Sequence, residues 1–365
     1  MSRDRGPPTE PTWWGRSGAG RIGSLIGMTD LHAVAADLLA NGRGILAIDE
    51  TPGTIGGRFE KLGIESTPET RSAYRELLIT TPDLGSWIGG AILQDETFSQ
   101  TTSAGTTFPE ELAKRNTAAG IKVDTGAKPL AGHPNETVTE GLDGLRDRLA
   151  AYKEKGAVFA KWRAVYRIDG EVGPTPGANQ ANAHGLARYA ALCQEAGIVP
   201  IVEPEVLLEG EHSIERCAAV TAEVLRGVFN ELAAQRVDLR GIVLKPSMVV
   251  PGKAGETKAS PDEVADTTLR VLAEVVPAAV PSIAFLSGGQ TPVQATEHLQ
   301  AMNSRGDQPW QVSFSYGRAL QDDPMSIWSG DSANGEKAQE ALAVRAKANS
   351  AASKGEYDAS LEPAS

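Results

Sequence analysis

The sequence predicts an α/β fold, a TIM (β/α)8 barrel forming a single domain with a tail at each end. Three observations carry that expectation. Short apolar, β-branched segments alternate with longer amphipathic stretches, the pattern of strand and helix units around a parallel sheet. Eight such segments occur, beginning roughly every 30 to 45 residues, which suits one barrel better than an open sheet with a separate second domain. Several of them end in a polar or charged residue, and the carboxyl ends of barrel strands form the floor of one shared pocket.

The strands are expected over 44–49, 88–93, 120–124, 158–163, 198–203, 241–245, 282–287 and 311–316. Between them, stretches such as 142–155 and 213–234 repeat Leu, Val and Ala at steps of three and four residues, as helices covering the outside of the barrel do. The barrel then spans 28–330, and 331–365 holds an Ala-rich helix over 337–350 and a mobile tail from Gly355. Residues 1–27 are rich in Gly, Pro, Ser and Arg, lack an apolar signal core and precede Met28. They read as a flexible tail or the product of a start codon placed too early. Within them Gly18-Ala19-Gly20-Arg21-Ile22-Gly23 matches the dinucleotide-binding glycine pattern. That motif needs a strand before it, and Thr12-Trp13-Trp14-Gly15 is no buried strand.

Composition narrows the function classes. With 365 residues, 41% of them hydrophobic, the chain can bury a sizeable core. Its 35 basic and 47 acidic side chains give a net charge of −12, which argues against nucleic acid or an anionic membrane as partner. No run of about 18 apolar residues is present, so no transmembrane helix is expected. Cys193 and Cys217 form no Cys-x-x-Cys pair and have no His at ligand spacing, so a reducing cytoplasm is expected. The five histidines, His32, His133, His184, His212 and His298, fall in expected helices or loops. They read as surface or loop residues, and no metal is expected.

The charged strand ends point to chemistry. Leu244-Lys245-Pro246 places a lysine at the end of an apolar strand, where the following proline stops further ladder bonding. A lysine held beside other cations loses part of its preference for the charged form, and the neutral amine can attack a ketone to give an imine. Taken alone, Lys245 reads first as a structural partner of a neighbouring carboxylate. Glu203 ends a strand in the same way, with Pro204 and Glu205 behind it; it reads as a proton carrier for imine formation or as part of a solvated loop mouth. Asp49-Glu50 reads as a catalytic acid pair or as an acidic N-cap. Lys122, Lys161, Arg163 and Arg318 concentrate cations at the same ends of an otherwise acidic chain. With Ser287-Gly288-Gly289, either a tight turn or an open backbone nest, they suit an anionic ligand such as a phosphate.

Gly44-Ile-Leu-Ala-Ile-Asp-Glu50, Gly120-Ile-Lys-Val-Asp124, Ala160-Lys-Trp-Arg163, Ile201-Val-Glu-Pro-Glu205, Leu244-Lys-Pro246, Phe285-Leu-Ser-Gly-Gly-Gln290 and Phe314-Ser-Tyr-Gly-Arg318 together resemble class I fructose-bisphosphate aldolase. The likeness runs from about residue 30 to 355 with the motifs in family order. It implies a lyase that cleaves fructose 1,6-bisphosphate reversibly to dihydroxyacetone phosphate and glyceraldehyde 3-phosphate, in glycolysis or gluconeogenesis, without metal or other cofactor. It implies that Lys245 forms the Schiff base at C2 and that Glu203 shuttles protons during carbinolamine dehydration. Asp49 would take the C4 hydroxyl proton, and Lys161 would place positive charge beside both. The resemblance further implies that Ser287, Gly288 and Arg318 hold the C1 phosphate and that Gly317 belongs to the substrate- and phosphate-binding set. Lys122, with Thr51 and Thr54, would face the C6 phosphate, and Arg58 and Arg163 would complete the binding set.

Three positions depart from the family pattern. Thr51 and Thr54 stand where many relatives have serine, Gly57 stands where a lysine commonly precedes Arg58, and the chain ends Glu362-Pro-Ala-Ser365. The animal enzymes end instead in a tyrosine that assists proton transfer at C1; Tyr357 does not match that position, so this transfer has no assigned residue. Other Schiff-base barrels, such as transaldolase or deoxyribose-phosphate aldolase, would share the strand-end lysine, and a silent scaffold would share the fold. Two anion-binding ends favour a bisphosphate, with a much higher kcat/KM for fructose 1,6-bisphosphate than for fructose 1-phosphate. Relatives are commonly tetramers, which makes a homo-oligomer the expected assembly.

Overall fold

Each expected strand carries inward and outward residues in alternation, and closure into a barrel follows from burying both sets. The computed structural model describes residues 31–170, 173–256 and 258–362. The tail over 1–27, its glycine motif at 18–23 and the last three residues lie outside the described residues.

In chain order come α1 (Leu31–Asp37), β1 (Gly44–Ala47), α2 (Pro52–Glu60), α3 (Pro68–Ile79), β2 (Ile88–Leu93), α4 (Asp95–Phe98), α5 (Phe108–Lys114), β3 (Ala118–Lys122), β4 (Gly126–Pro129) and β5 (Thr137–Glu140). Then follow α6 (Leu145–Glu154), β6 (Phe159–Tyr166), α7 (Pro176–Glu195), β7 (Val199–Val206), α8 (Ile214–Ala234) and β8 (Val243–Leu244). The last elements are α9 (Pro261–Val275), β9 (Ser282–Phe285), α10 (Pro292–Asn303), β10 (Gln311–Tyr316), α11 (Arg318–Trp328) and α12 (Gly335–Ala352). Strands β1, β2, β3, β6, β7, β8, β9 and β10 pair in parallel and close into a barrel. β4 and β5 form a separate antiparallel hairpin.

Helix starts are written into the sequence. α2, α3, α7, α9 and α10 each begin with a capping Thr or Ser whose hydroxyl accepts an N–H from the first turn, followed at once by proline. The hydroxyl satisfies an orphan donor, and proline occupies a position that needs none; each cap stabilises its helix by about 1 kcal/mol.

The outward residues Leu46, Leu93, Ile121, Trp162, Val202, Leu244, Ile283 and Phe314 pack under the helices. The inward residues Ile45, Ala47, Ile92, Phe159, Val199, Ile201, Val243 and Ala284 form a second cluster inside the barrel. Val34, Ala35, Leu38 and Leu39 join that inner cluster. They bring α1 across the amino-terminal mouth, where Ser282 Oγ donates to Ala35 O at 3.1 Å and Gln311 Nε2 to Ala36 O at 3.1 Å. Phe159 fills the space left by two glycines: a Cβ at Gly120 would lie 2.1 Å from its ring, and one at Gly90 2.7 Å.

Two steps further along these inward positions the chemistry changes. Ala47 is followed at that spacing by Asp49, Phe159 by Lys161 and Arg163, Ile201 by Glu203 and Glu205, and Val243 by Lys245. The period of two that buries the lower apolar layer therefore aims these charges into the carboxyl-terminal mouth.

Several expected boundaries need correction. β7 does not end at Glu203 but runs through Pro204 to Val206, and β6 runs past Arg163 to Tyr166. Val199 N bonds to Val158 O, whereas Val202 O accepts from Lys245 N on the other flank. Pro200 and Pro204 share the parity of Val202 and so face β8, which is only two residues long. The ladder to β6, carried by the odd-numbered residues, is therefore left intact at both prolines. The hairpin β4–β5 was not expected, because Gly126-Ala-Lys-Pro129 lacks the apolar alternation of a core strand. The mobile tail expected from Gly355 is instead docked as far as Glu362. Arg345 pairs with Glu362, the Tyr357 hydroxyl donates to Glu362 at 2.7 Å, and Tyr357 N donates to Gln300 Oε1 at 2.8 Å.

Candidate active site

Lys245 follows the short β8 directly and keeps strand geometry, its N–H bonded to Val202 O at 2.8 Å. Its amine lies 3.1 Å from Glu203 Oε1. The other oxygen of Glu203 lies 3.2 Å from Lys161 Nζ, which also meets Asp49 Oδ2 at 2.8 Å. The four side chains thus form one chain of alternating charge, Lys245, Glu203, Lys161 and Asp49, contributed by four strands. Lys161, Glu203 and Lys245 have side chains no more than 5% exposed.

Burial and charge oppose each other here, and charge wins. Burial by itself would raise the Asp49 carboxyl, but Lys161 and Lys245 outweigh it and hold the group below its ordinary 3.8. Glu203 is likewise pushed up by burial and pulled further down by Lys161, Lys245 and Arg163, ending below 4.5. Burial would discharge Lys161, yet Asp49, Glu203 and Asp124 hold it well above its ordinary value. Two ionised carboxylates and a fixed ammonium between them result.

The surrounding residues hold this geometry. The buried Arg75 of α3 donates to Ile48 O at 3.1 Å and Glu50 O at 2.7 Å, the two carbonyls that flank Asp49. Gln321 of α11 donates to Ala47 O at 2.7 Å and to Glu50 Oε1 at 2.8 Å. Glu50 therefore braces the loop, and the N-cap of α2 is Thr51, so Asp49-Glu50 is no acidic cap. Arg163 pairs with Glu205, its partner across the rim, and is 43% exposed at the side chain. Glu205 is buried within β7, which rules out the solvated loop mouth for that segment. Lys122 is held by Asp124, at 2.6 Å from the carboxylate and 2.8 Å from the carbonyl.

A cleft of about 270 Å³ at the carboxyl-terminal mouth is lined by Asp49, Thr51, Thr54, Arg58, Lys122, Lys161, Arg163, Glu203, Lys245, Ser287, Gly288, Gly317 and Arg318. All thirteen residues singled out from the sequence meet there. Ala47, Glu50, Glu205, Leu286 and Ser315 complete the wall. On one side Gly288 and Gly289 take positive φ angles of 52° and 86° beside Arg318 at the start of α11. A backbone bent in this way turns successive N–H groups toward a common anion. On the other side Thr51 and Thr54 share a hydrogen bond of 3.0 Å, and Arg58 lies between Glu50 and Asp322.

Sequence reasoning missed Asp124, Arg75, Gln321 and Asp322. Asp124 had a signal, since it stands two residues from Lys122 with the same strand parity. Arg75, Gln321 and Asp322 lie on helices, where nothing local distinguishes them. One expectation about the histidines also fails: His298 of α10 is buried, with Nδ1 2.5 Å from Gln290 Oε1, and burial lowers its pKa to about 4. Among the described residues no three His, Cys, Asp or Glu side chains are grouped to hold a metal ion. No described helix is long and apolar enough to cross a membrane.

Comparison with known proteins adds a second line. The family model for fructose-bisphosphate aldolase class-I matches residues 30–365. A probable class 1 fructose-bisphosphate aldolase of Xylella fastidiosa is 52% identical over 333 residues, 91% of this chain and 99% of that protein. The cytosolic fructose-bisphosphate aldolase 4 of Arabidopsis thaliana is 49% identical over 335 residues, 92% of this chain and 85% of its own. A solved structure of the Plasmodium falciparum fructose-bisphosphate aldolase superposes with a TM-score of 0.89 at 45% identity, covering 90% of this chain and 95% of that one.

Proposed function

The chain belongs to the class I fructose-bisphosphate aldolases, and from that premise we propose that it cleaves fructose 1,6-bisphosphate reversibly through an imine on Lys245. The observation that carries the mechanism is the alternating chain in which Glu203 lies 3.1 Å from Lys245 and Lys161 bridges Glu203 to Asp49.

The Lys245 amine adds to the C2 ketone of the substrate, giving a carbinolamine. Glu203, within hydrogen-bond reach of that nitrogen, moves the protons by which water leaves and the protonated imine forms. Asp49, kept ionised by Lys161 and Lys245, takes the C4 hydroxyl proton. The C3–C4 bond then breaks, its electron pair passes to the iminium as an enamine, and glyceraldehyde 3-phosphate departs. Protonation and hydrolysis of the enamine release dihydroxyacetone phosphate and regenerate the amine. Lys161 stabilises both carboxylates without being consumed.

Ser287, Gly288, Gly317 and Arg318 hold the C1 phosphate, and Lys122, Thr51, Thr54 and Arg58 the C6 end, with Arg163 on the rim. The reaction needs no metal or other cofactor, because the iminium is the electron sink. Duty in glycolysis or gluconeogenesis follows from the reversible equilibrium, and a homo-oligomer, on family precedent a tetramer, is the assembly proposed. A cytoplasmic location suits the two buried free thiols, Cys193 and Cys217.

Borohydride reduction in the presence of dihydroxyacetone phosphate, followed by mass mapping, tests the mechanism. A reduced adduct on Lys245 is expected. An unmodified protein whose cleavage activity disappears with EDTA overturns it.

A further inference from the structure

The two anion-binding sides of the cleft differ in how far their cations are already neutralised. Arg318 has no carboxylate within 4 Å among the described residues and stands beside the open backbone of Gly288 and Gly289. On the opposite side Arg58 spends one terminal nitrogen on Glu50, at 2.7 Å, and the other on Asp322, at 3.0 Å. Lys122 is held by Asp124 at 2.6 Å. Two cations there face three carboxylates, and Gly57, the neighbour of Arg58, brings no charge.

The two carboxylates on Arg58 are not equivalent. Glu50, with a side chain only 14% exposed, is also tied to Gln321, so it belongs to the frame of the loop. Asp322 sits on α11, four residues after Arg318, with a side chain 51% exposed. Four residues is the spacing at which it would meet Arg318 on the same helix face, but its carboxylate is turned to Arg58 instead. Among the described residues its carboxylate has no other side-chain partner, and its charge lies 3.0 Å from Arg58, which lines the cleft on the side where the second phosphate would enter.

We propose that Asp322 is a specificity-determining residue: by occupying Arg58 and adding a negative charge at the rim, it lowers the contribution of the C6 phosphate and narrows the preference for bisphosphate over 1-monophosphate. This rests on the aldolase reading above. A dianionic phosphate arriving at this side must displace Asp322 from Arg58 or bind against it. The C1 side, where Arg318 is unopposed, carries no such penalty.

The test compares wild type, Asp322→Asn and Asp322→Glu in the full-length chain, with kcat and KM measured separately for fructose 1,6-bisphosphate and fructose 1-phosphate. Asp322→Asn is expected to raise kcat/KM for the bisphosphate by about three- to ten-fold through KM, as expected for removing one partly screened charge near the phosphate. The value for fructose 1-phosphate is expected to stay within about two-fold, and Asp322→Glu to keep the wild-type ratio. Equal changes for both substrates, a change in kcat alone, or an unchanged ratio in an active Asp322→Asn enzyme each overturn the role of Asp322 and leave the aldolase reading intact. A wild-type chain that cleaves neither substrate and gives no adduct on Lys245 overturns both.

Discussion

The lower and upper halves of the barrel interior share strands and inward-facing positions but bury them by opposite means. Below, Ile45, Phe159, Val199, Ile201 and Val243 pack against one another and against α1. Above, Asp49, Lys161, Glu203 and Lys245 are nearly as buried but are covered by each other's charge, at 2.8 to 3.2 Å. Apolar contacts can be lost piecemeal, each deletion costing its own transfer and cavity energy. A buried charge chain is different, because removing one member strands its neighbours. The lower half therefore serves mainly stability, and the upper half ties stability to reactivity.

The sharpest test of that division is Lys245→Met. Loss of the proposed nucleophile should cut the cleavage rate by at least about 10⁴-fold, while Glu203 keeps Lys161 as a partner. A steady-state assay beside a thermal melt should show activity gone and the fold retained. Lys161→Met should do both kinds of damage, because Asp49 loses its 2.8 Å partner; about 3–5 kcal/mol of stability should go. Denaturant unfolding reads that loss, and an unchanged midpoint would mean water already shields these carboxylates.

Phe159→Ala in the lower half should cost about 3–5 kcal/mol through the cavity it leaves, with kcat changed far less than in Lys161→Met. A variant that melts normally but loses turnover would break the separation of the two halves. Gly120→Ala makes the opposite error. Its new methyl would lie 2.1 Å from the Phe159 ring, and forcing the ring aside should cost about 1–3 kcal/mol, measurable as a lowered melting temperature.

The pH dependence of stability sharpens the comparison further. Asp49 and Glu203 are held below their ordinary 3.8 and 4.5, so their stabilisation is present above that range and is lost as pH falls through the lowered folded values. Lys161 is held above 10.5, so its share is complete below 10.5 and is lost as pH rises through the raised value. The melting-temperature gap between wild type and Lys161→Met should be flat between about pH 5 and 10 and shrink on either side. The gap for Phe159→Ala should show no such shoulders.

Much of this was legible locally. The two-residue spacing from Phe159 to Lys161 and from Ile201 to Glu203 marks both a buried strand face and the charge at its end, so the strands and the cleft residues could be named together. The reach of β6 and β7 was not, because Pro204 reads as a strand terminator until the shortness of β8 on its flank is known. Nor was the docking of Tyr357 and Glu362, which depends on Arg345 being buried among helices.

By itself the sequence determined the alternation of strands and helices, the period that turns apolar and charged residues to one face, the Thr-Pro and Ser-Pro helix starts, and the kinship of the motifs. Only the tertiary structure decided which distant charges meet: Lys161 with Asp49 and Glu203, Lys245 with Glu203, Arg58 with Asp322. Periodicity and capping act between residues a few positions apart and are written along the chain. The charge state of a buried carboxylate depends on groups brought within about 3 Å from distant parts of the chain, and barrel closure alone supplies that distance.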